Sequence, residues 1–269
     1  MKPATILRRS AAALGACLAL LSAPGVSAAC LLGMVEAPGV RLILASASAV
    51  PAGNVRVSFL GHSSFLVETP GRVSAITDYN GLNVASFVPD IVTMNNAHET
   101  HYTDAPDPAI RYVLRGWKPG GGMARHDVRV RDLRTFNVPT NIGELGDPAS
   151  NNNSIFVFEI AGLCIAHLGH LHHDLTAAQL ARLGRVDVLF VPIDGSMTMT
   201  HEQALNAIEK ISPRLVIPMH FGFFGAADAF FELAKARWTI RAEKGSTLLI
   251  NRKMLPRSTE IRFLQAGGF

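Results

Sequence analysis

Charge is scarce in this chain: Asp, Glu, Lys and Arg make up 17% of its 269 residues, and the formal net charge is only +4. Three basic and no acidic residues fall in the first 29, so the remainder holds 22 basic against 21 acidic residues. That balance offers no surface argument for nucleic acid or an anionic membrane. Cysteine numbers three, and Cys164, inside the apolar run Leu163-Cys164-Ile165-Ala166, reads as a buried inert thiol. Pairing with Cys30 is the alternative in an oxidising compartment. No Gly-x-Ser-x-Gly elbow is present, and Gly120-Gly121-Gly122 lacks the strand and Lys of a phosphate loop. No internal repeat, low-complexity tract or long linker divides the chain.

The first 29 residues read as a cleaved export signal. Lys2, Arg8 and Arg9 precede an apolar run from Ala11 to Leu21, and Val26-Ser27-Ala28 supplies small residues before a cut. The run falls well short of the roughly 20 residues that span a bilayer. Arg8-Arg9 raises a twin-arginine route as one variant. Ser27-Ala28-Ala29-Cys30 approximates a lipid-attachment box, although Ser27 sits where such boxes usually have Leu. Residues 30–269 are then expected to form one large periplasmic or secreted domain with a sizeable core.

Val55, Val57 and Phe59 alternate, as do Phe65 and Val67 beyond Gly61-His62, which predicts short strands separated by turns. Ile91–Met94 is a further short strand, and the Pro106 to Gly122 stretch reads as loop. Val128 and Val130 predict a strand, and Ser154–Ile160 and Leu163–His167 predict a hairpin turning at Ala161-Gly162. Thr176 caps a helix to about Leu183, ended by Gly184, and Val186 to Val191 is a buried strand. Thr200 with Gln203 forms a capping box for a helix to about Ile211. Leu215–Met219 is the next buried strand. Meanders first and βα units later predict a layered α/β sandwich with its site along one edge.

The histidines that matter lie at strand ends. His98 and His101 follow one strand, His167, His170, His172 and His173 a second, and His220 a third. A metal ion wants three or four nitrogen, sulfur or carboxylate ligands gathered from separate loops. His173 and His201 are expected to be exposed. Asp194 and Thr198 are placed to line the pocket, and Phe221, Phe223 and Phe224 to form core or an apolar rim.

The chain resembles the metallo-β-lactamase superfamily, in the branch of zinc-dependent hydrolases that includes ascorbate-6-phosphate lactonase-like proteins. The resembling segments are Phe59 to Glu68, Ala75-Ile76-Thr77-Asp78, Asn96 to His101, Leu168-Gly169-His170, Val186 to Pro192 and Val216 to Phe221. The resemblance implies a four-layer αββα sandwich. Its metal loop, His-x-His-x-Asp-His, is represented here by Asn96, His98, Thr100 and His101. Asn137 falls near a further family histidine, His170 replaces the bridging aspartate, and His220 is kept. One family metal position is thereby reduced to His98 with His170, while the other retains His101, His170 and His220.

The resemblance thus implies one zinc or other divalent ion on His98, His101, His170 and His220. Three neutral imidazoles plus water make a tetrahedral site that lowers the water's pKa to roughly 7. The expected activity is hydrolysis of a small ester-like bond in a small-molecule substrate, a lactone, phosphoester or amide, by metal-bound hydroxide. Asp78, Glu99, Asp104 and Asp194 are candidates to orient the histidines. Asp78 matches a family aspartate near the metal loop, and an ordinary turn carboxylate is its other reading. His62 matches a position that touches substrate or steadies a ligand, against a plain turn histidine. The competing expectation is a binding protein that kept the fold and lost the metal centre.

Overall fold

The computed structural model describes residues 49–143, 152–221 and 226–265. The export signal, Cys30, Phe223 and Phe224 lie outside this range. Two mixed sheets face one another. The first is built from β1 (Val55–Gly61), β2 (Ser64–Glu68), β3 (Ser74–Ile76), β4 (Ile91–Met94) and β5 (Tyr112–Arg115). The second begins with β6 (Asp127–Val130), β7 (Leu133–Thr140), β8 (Asn153–Ile160) and β9 (Leu163–His167). The chain then alternates α1 (Ala177–Leu183), β10 (Val188–Pro192), α2 (His201–Ile211), β11 (Leu215–Met219) and α3 (Ala226–Ala234). It closes with β12 (Thr239–Ala242), β13 (Thr247–Ile250) and β14 (Glu260–Phe263). Strand order is β13-β1-β2-β3-β4-β5 in one sheet and β12-β14-β11-β10-β9-β8-β7-β6 in the other.

Side-chain alternation explains the stacking. Val55, Val57 and Phe59 of β1 are buried while Arg56 and Ser58 are half-buried, the period of two that sends alternate residues to opposite faces. They meet Phe156, Phe158, Ile165, Phe190 and Ile217 of the opposite sheet in the central core. Phe65 and Phe190 stack across that interface with ring centroids 4.1 Å apart, a contact worth about 0.5–1.5 kcal/mol beyond the area it buries. The outer face of the second sheet packs against Leu183, Ala204, Leu205, Ile208, Phe230 and Ala234 of the helices. Over the first sheet's outer face, Leu66, Ile76, Val92 and Met94 are covered by Tyr79, Ile110 and the half-buried Phe87, Tyr102 and Trp117. These last residues come from loops.

Several local expectations hold for identifiable reasons. Ala161 (φ 51°) and Gly162 (φ 76°) form the two-residue left-handed turn of the β8–β9 hairpin. Thr176 with Gln179 and Thr200 with Gln203 both form full capping boxes. Three expectations are corrected. The stretch read as loop contains β5, an edge strand parallel to β4. His173 is buried, 5% exposed, its Nδ1 2.8 Å from the Asp174 carbonyl, and His201 is half-buried with Nε2 3.1 Å from the Ile193 carbonyl. Cys164 is disulfide-bonded rather than an inert thiol. No helix among the described residues is long and apolar enough to cross a membrane.

Candidate metal centre

The C-terminal ends of β3, β4, β10 and β11 and the β1–β2 turn converge on one edge, where each delivers a site residue. Parallel pairing of β3 with β4 and of β10 with β11 keeps these ends together, as open α/β sheets do where they bind ligands. His62, Asp78 and His220 all have left-handed backbones, with φ of 53°, 52° and 52°. Such conformations are uncommon and costly for residues other than glycine, and they cluster where function requires them. The His220 N–H donates to the His62 carbonyl at 2.8 Å, which ties two of these turns to each other.

A buried carboxylate, Asp78, and a half-buried one, Asp194, stand behind two of the imidazoles. His101 Nδ1 contacts Asp78 Oδ2, and the Ser63 hydroxyl donates to the same oxygen at 2.5 Å. The Asn95 N–H donates to Asp78 Oδ1 at 3.3 Å. On the other side, His220 Nδ1 lies 3.0 Å from Asp194 Oδ2, while Asp194 also accepts from the Thr198 hydroxyl and from the Ser196 and Thr198 N–H groups. Burial opposes ionisation of Asp78, but the charge and hydrogen bond of His101 outweigh it and hold the carboxyl below the usual range. Burial likewise opposes ionisation of Asp194, and the His220 and Thr198 hydrogen bonds overcome it.

An ionised carboxylate can only accept, so each Nδ1 carries its proton, and in the neutral ring Nε2 is then the nitrogen with the lone pair. Those two Nε2 atoms face one another at 3.3 Å. His62 completes the group: His62, His101 and His220 each offer a ligand atom, and all three atoms lie within 4.8 Å of one another. Burial, with the nearby His220 and His101, holds the His62 pKa down to about 4, and its buried Nε2 has no hydrogen-bond partner. Three imidazoles converging on one point, two steadied through Nδ1 by carboxylates, fit a divalent ion.

His170 flanks the group. Its ring centroid is 4.4 Å from that of His101 and 5.4 Å from that of His220. Burial, with His101 and His220, holds its pKa down to about 3, and its buried Nδ1 lacks a partner. His172 lies beside it at 4.8 Å between centroids. His98 is exposed, with Nδ1 3.0 Å from the Thr100 hydroxyl and its ring stacked 5.6 Å from His170. Among the sequence candidates, then, the structure gathers His62, His101 and His220 most closely, sets His170 alongside and leaves His98 at the rim. Glu99 and Asp104 are exposed. The third member, His62, carried a signal that was legible: it follows Gly61 at a strand end.

The asparagines at the family's histidine positions are structural. Asn137 donates to the Ala124 carbonyl and to Ser154 Oγ, and it accepts from the His126 N–H. Asn96 is buried and donates to the Asn152 carbonyl at 2.7 Å. His167 points away from the centre, its Nε2 2.8 Å from the Ser63 carbonyl and its Nδ1 accepting from the Gly169 N–H.

A profile described as the beta-lactamase superfamily domain matches residues 56–220, from β1 through His220. The chain belongs to the metallo-β-lactamase superfamily. Among superfamily relatives, a UPF0173 protein of Pyrococcus furiosus is 27% identical over 195 residues, covering 65% of this chain and 87% of its own. A UPF0173 metal-dependent hydrolase of the same organism is 28% identical over 190 residues, 62% of this chain and 84% of its own. A solved superfamily structure from Thermotoga maritima matches with a TM-score of 0.59 at 24% identity, covering 78% of this chain and all of that one. These likenesses agree on the α/β sandwich.

Gly169 directly precedes His170. Its φ is 62°, and a Cβ there would lie 2.6 Å from Asn95 Cβ. Gly169→Ala is therefore expected to destabilise the fold by about 1–3 kcal/mol and to displace His170. Denaturant unfolding measures the loss, and an unchanged midpoint would refute the packing argument.

Acid should weaken the metal-free protein. Unfolded histidines titrate near 6.5, whereas His62 and His170 in the fold stay neutral down to about 4 and about 3. Between these values the unfolded chain binds more protons, so stability falls as pH drops from 6.5 toward 3. Asp78 and Asp194, depressed in the fold, add a loss of the same sign below their unfolded range near 3.9. Thermal midpoints in chelator at pH 7.5, 6, 5 and 4 should decline in that order, and a flat series would contradict it.

Proposed function

We propose that this chain is an exported metal-dependent hydrolase that cleaves a small ester-like bond at a single ion held by His62, His101 and His220. The observation that carries this reading is the pair of Nε2 atoms facing each other at 3.3 Å, each ring fixed from behind by a carboxylate. Without a cation or a proton between them, that arrangement is repulsive. Neutral histidine donors suit zinc, which when bound supplies Lewis acidity for attack by water on a carbonyl or phosphoryl centre. Kinship with UPF0173 proteins named as metal-dependent hydrolases supports the reaction class.

The chain's own residues divide the remaining work. Asp78 and Asp194 keep the His101 and His220 rings in the tautomer that leaves Nε2 free. His170 stands beside the centre with a buried Nδ1 that has no partner, where it is placed to hydrogen-bond an incoming water or substrate. Asn96 and Asn137, engaged in structural hydrogen bonds, contribute no second set of ligands, which supports one ion rather than two. The disulfide at Cys164 supports export, because such bonds persist in oxidising compartments.

Metal analysis of the purified protein tests the reading directly, combined with lactone, phosphoester and amide substrates before and after chelation. About one zinc per chain is expected, with turnover abolished by the chelator and restored on adding the ion back. A chain that takes up no metal and turns nothing over would be a binding protein on the same scaffold.

A further inference from the structure

The loop between Asp78 and β4 leaves the site and presents apolar side chains to solvent. Leu82 is 84% exposed and Val84 37%, two apolar side chains presented to water within three residues. With Leu60, Asn83, Ala85 and Ser86 they line a cavity of about 310 Å³. No lining residue carries a charge. The cavity adjoins the metal centre through the backbone: Leu60 and Gly61 lead directly into His62, and Asn83 lies so close over Gly61 that a Cβ there would meet Asn83 Oδ1 at 2.9 Å.

The loop is held, not loose. Asn80 Oδ1 accepts from the Leu82 and Asn83 N–H groups at 2.9 Å each. Asn80 Nδ2 donates to the Thr100 carbonyl at 3.0 Å, next to His101. One side chain thus couples the exposed Leu82 to the segment that carries a proposed ligand. Met197 is also 54% exposed, in the loop whose N–H groups are gathered by Asp194. A preformed, uncharged wall beside a hydrolytic centre recognises the non-reacting part of a substrate by burying apolar surface.

We propose that the substrate of this hydrolase is uncharged and carries an apolar chain or ring beside the scissile bond, seated in the Leu60–Ser86 cavity against Leu82 and Val84. This rests on the hydrolase reading above, and it selects neutral esters, lactones or amides over phosphoesters.

The test uses two readouts on the full, zinc-loaded protein. In the first, p-nitrophenyl acetate, butyrate and hexanoate are compared with p-nitrophenyl phosphate as substrates. In the second, 2-butanone, 2-hexanone and 2-octanone, which are not hydrolysed, are titrated against methyl-labelled protein while the Leu82 and Val84 resonances are followed. The expected result is a kcat/KM and a ketone affinity that each rise about two- to fourfold per methylene, with little turnover of the phosphate. Leu82→Asp, at a solvent-facing position, should flatten both series with an unchanged far-UV circular dichroism spectrum, whereas Leu82→Met should keep them. Ester turnover indifferent to chain length and to Leu82→Asp, or a preference for the phosphate, would overturn the proposal. Ketone binding at Leu82 without turnover of any substrate would instead uphold the apolar seat and sink the hydrolase reading.

Discussion

Replacing His220 is expected to remove the bound ion and lower turnover by about a thousandfold or more. An ion acting as a Lewis acid stabilises the transition state by several kcal/mol, and each 1.36 kcal/mol is a factor of ten in rate. His220 supplies one of the two opposed Nε2 atoms, so its loss breaks the arrangement on which the site depends. Because its φ is 52°, asparagine is the better replacement for preserving the fold, since it tolerates the left-handed region while alanine does not. His220→Asn should therefore keep its far-UV circular dichroism spectrum and lose its metal. Metal content near wild type with full activity would show that the ion sits elsewhere.

The second large effect concerns Asp78, which touches no substrate. Its carboxylate faces His101 Nδ1, the Ser63 hydroxyl and the Asn95 N–H within a wholly buried site. Asp78→Asn keeps the size and tolerates the φ of 52°, but it replaces one accepting oxygen by an amide that donates. Either His101 then loses its partner or Ser63 does, and the ring is freed to change tautomer. Loss of such a carboxylate partner costs roughly 10–100-fold in metal affinity or activity. Competition with a chelator of known affinity measures it. An Asn variant that binds the ion as tightly as wild type would reduce Asp78 to an ordinary turn residue.

The sandwich was readable because its strands obey simple periods. Val55, Val57 and Phe59 alternate, Leu215–Met219 is apolar throughout, and Thr200 and Gln203 sit at capping spacing. The missed strand, β5, is half-buried at three of its four positions, so neither alternation nor a continuous apolar run marks it. The site was legible in kind and less so in detail. Strand ends brought His101, His170 and His220 to one edge, but which rings converge depends on backbone turns that residue spacing does not encode. His62 owes its direction to a left-handed φ. His173 is buried by the packing of its segment, a tertiary outcome that no local pattern announces. The pairing of Cys164 depends on a neighbour in space, which its own apolar run does not record.

The left-handed backbones at His62, Asp78 and His220 bear on how this protein would respond to selection. Each costs about 1–2 kcal/mol against a glycine at the same position, a sizeable share of the 5–15 kcal/mol that holds an average domain together. A library screened only for heat resistance would drift toward Gly or Asn at these three positions and enrich inert proteins. Retention of His62, Asp78 and His220 in a natural lineage would therefore record selection for chemistry, maintained at the expense of robustness.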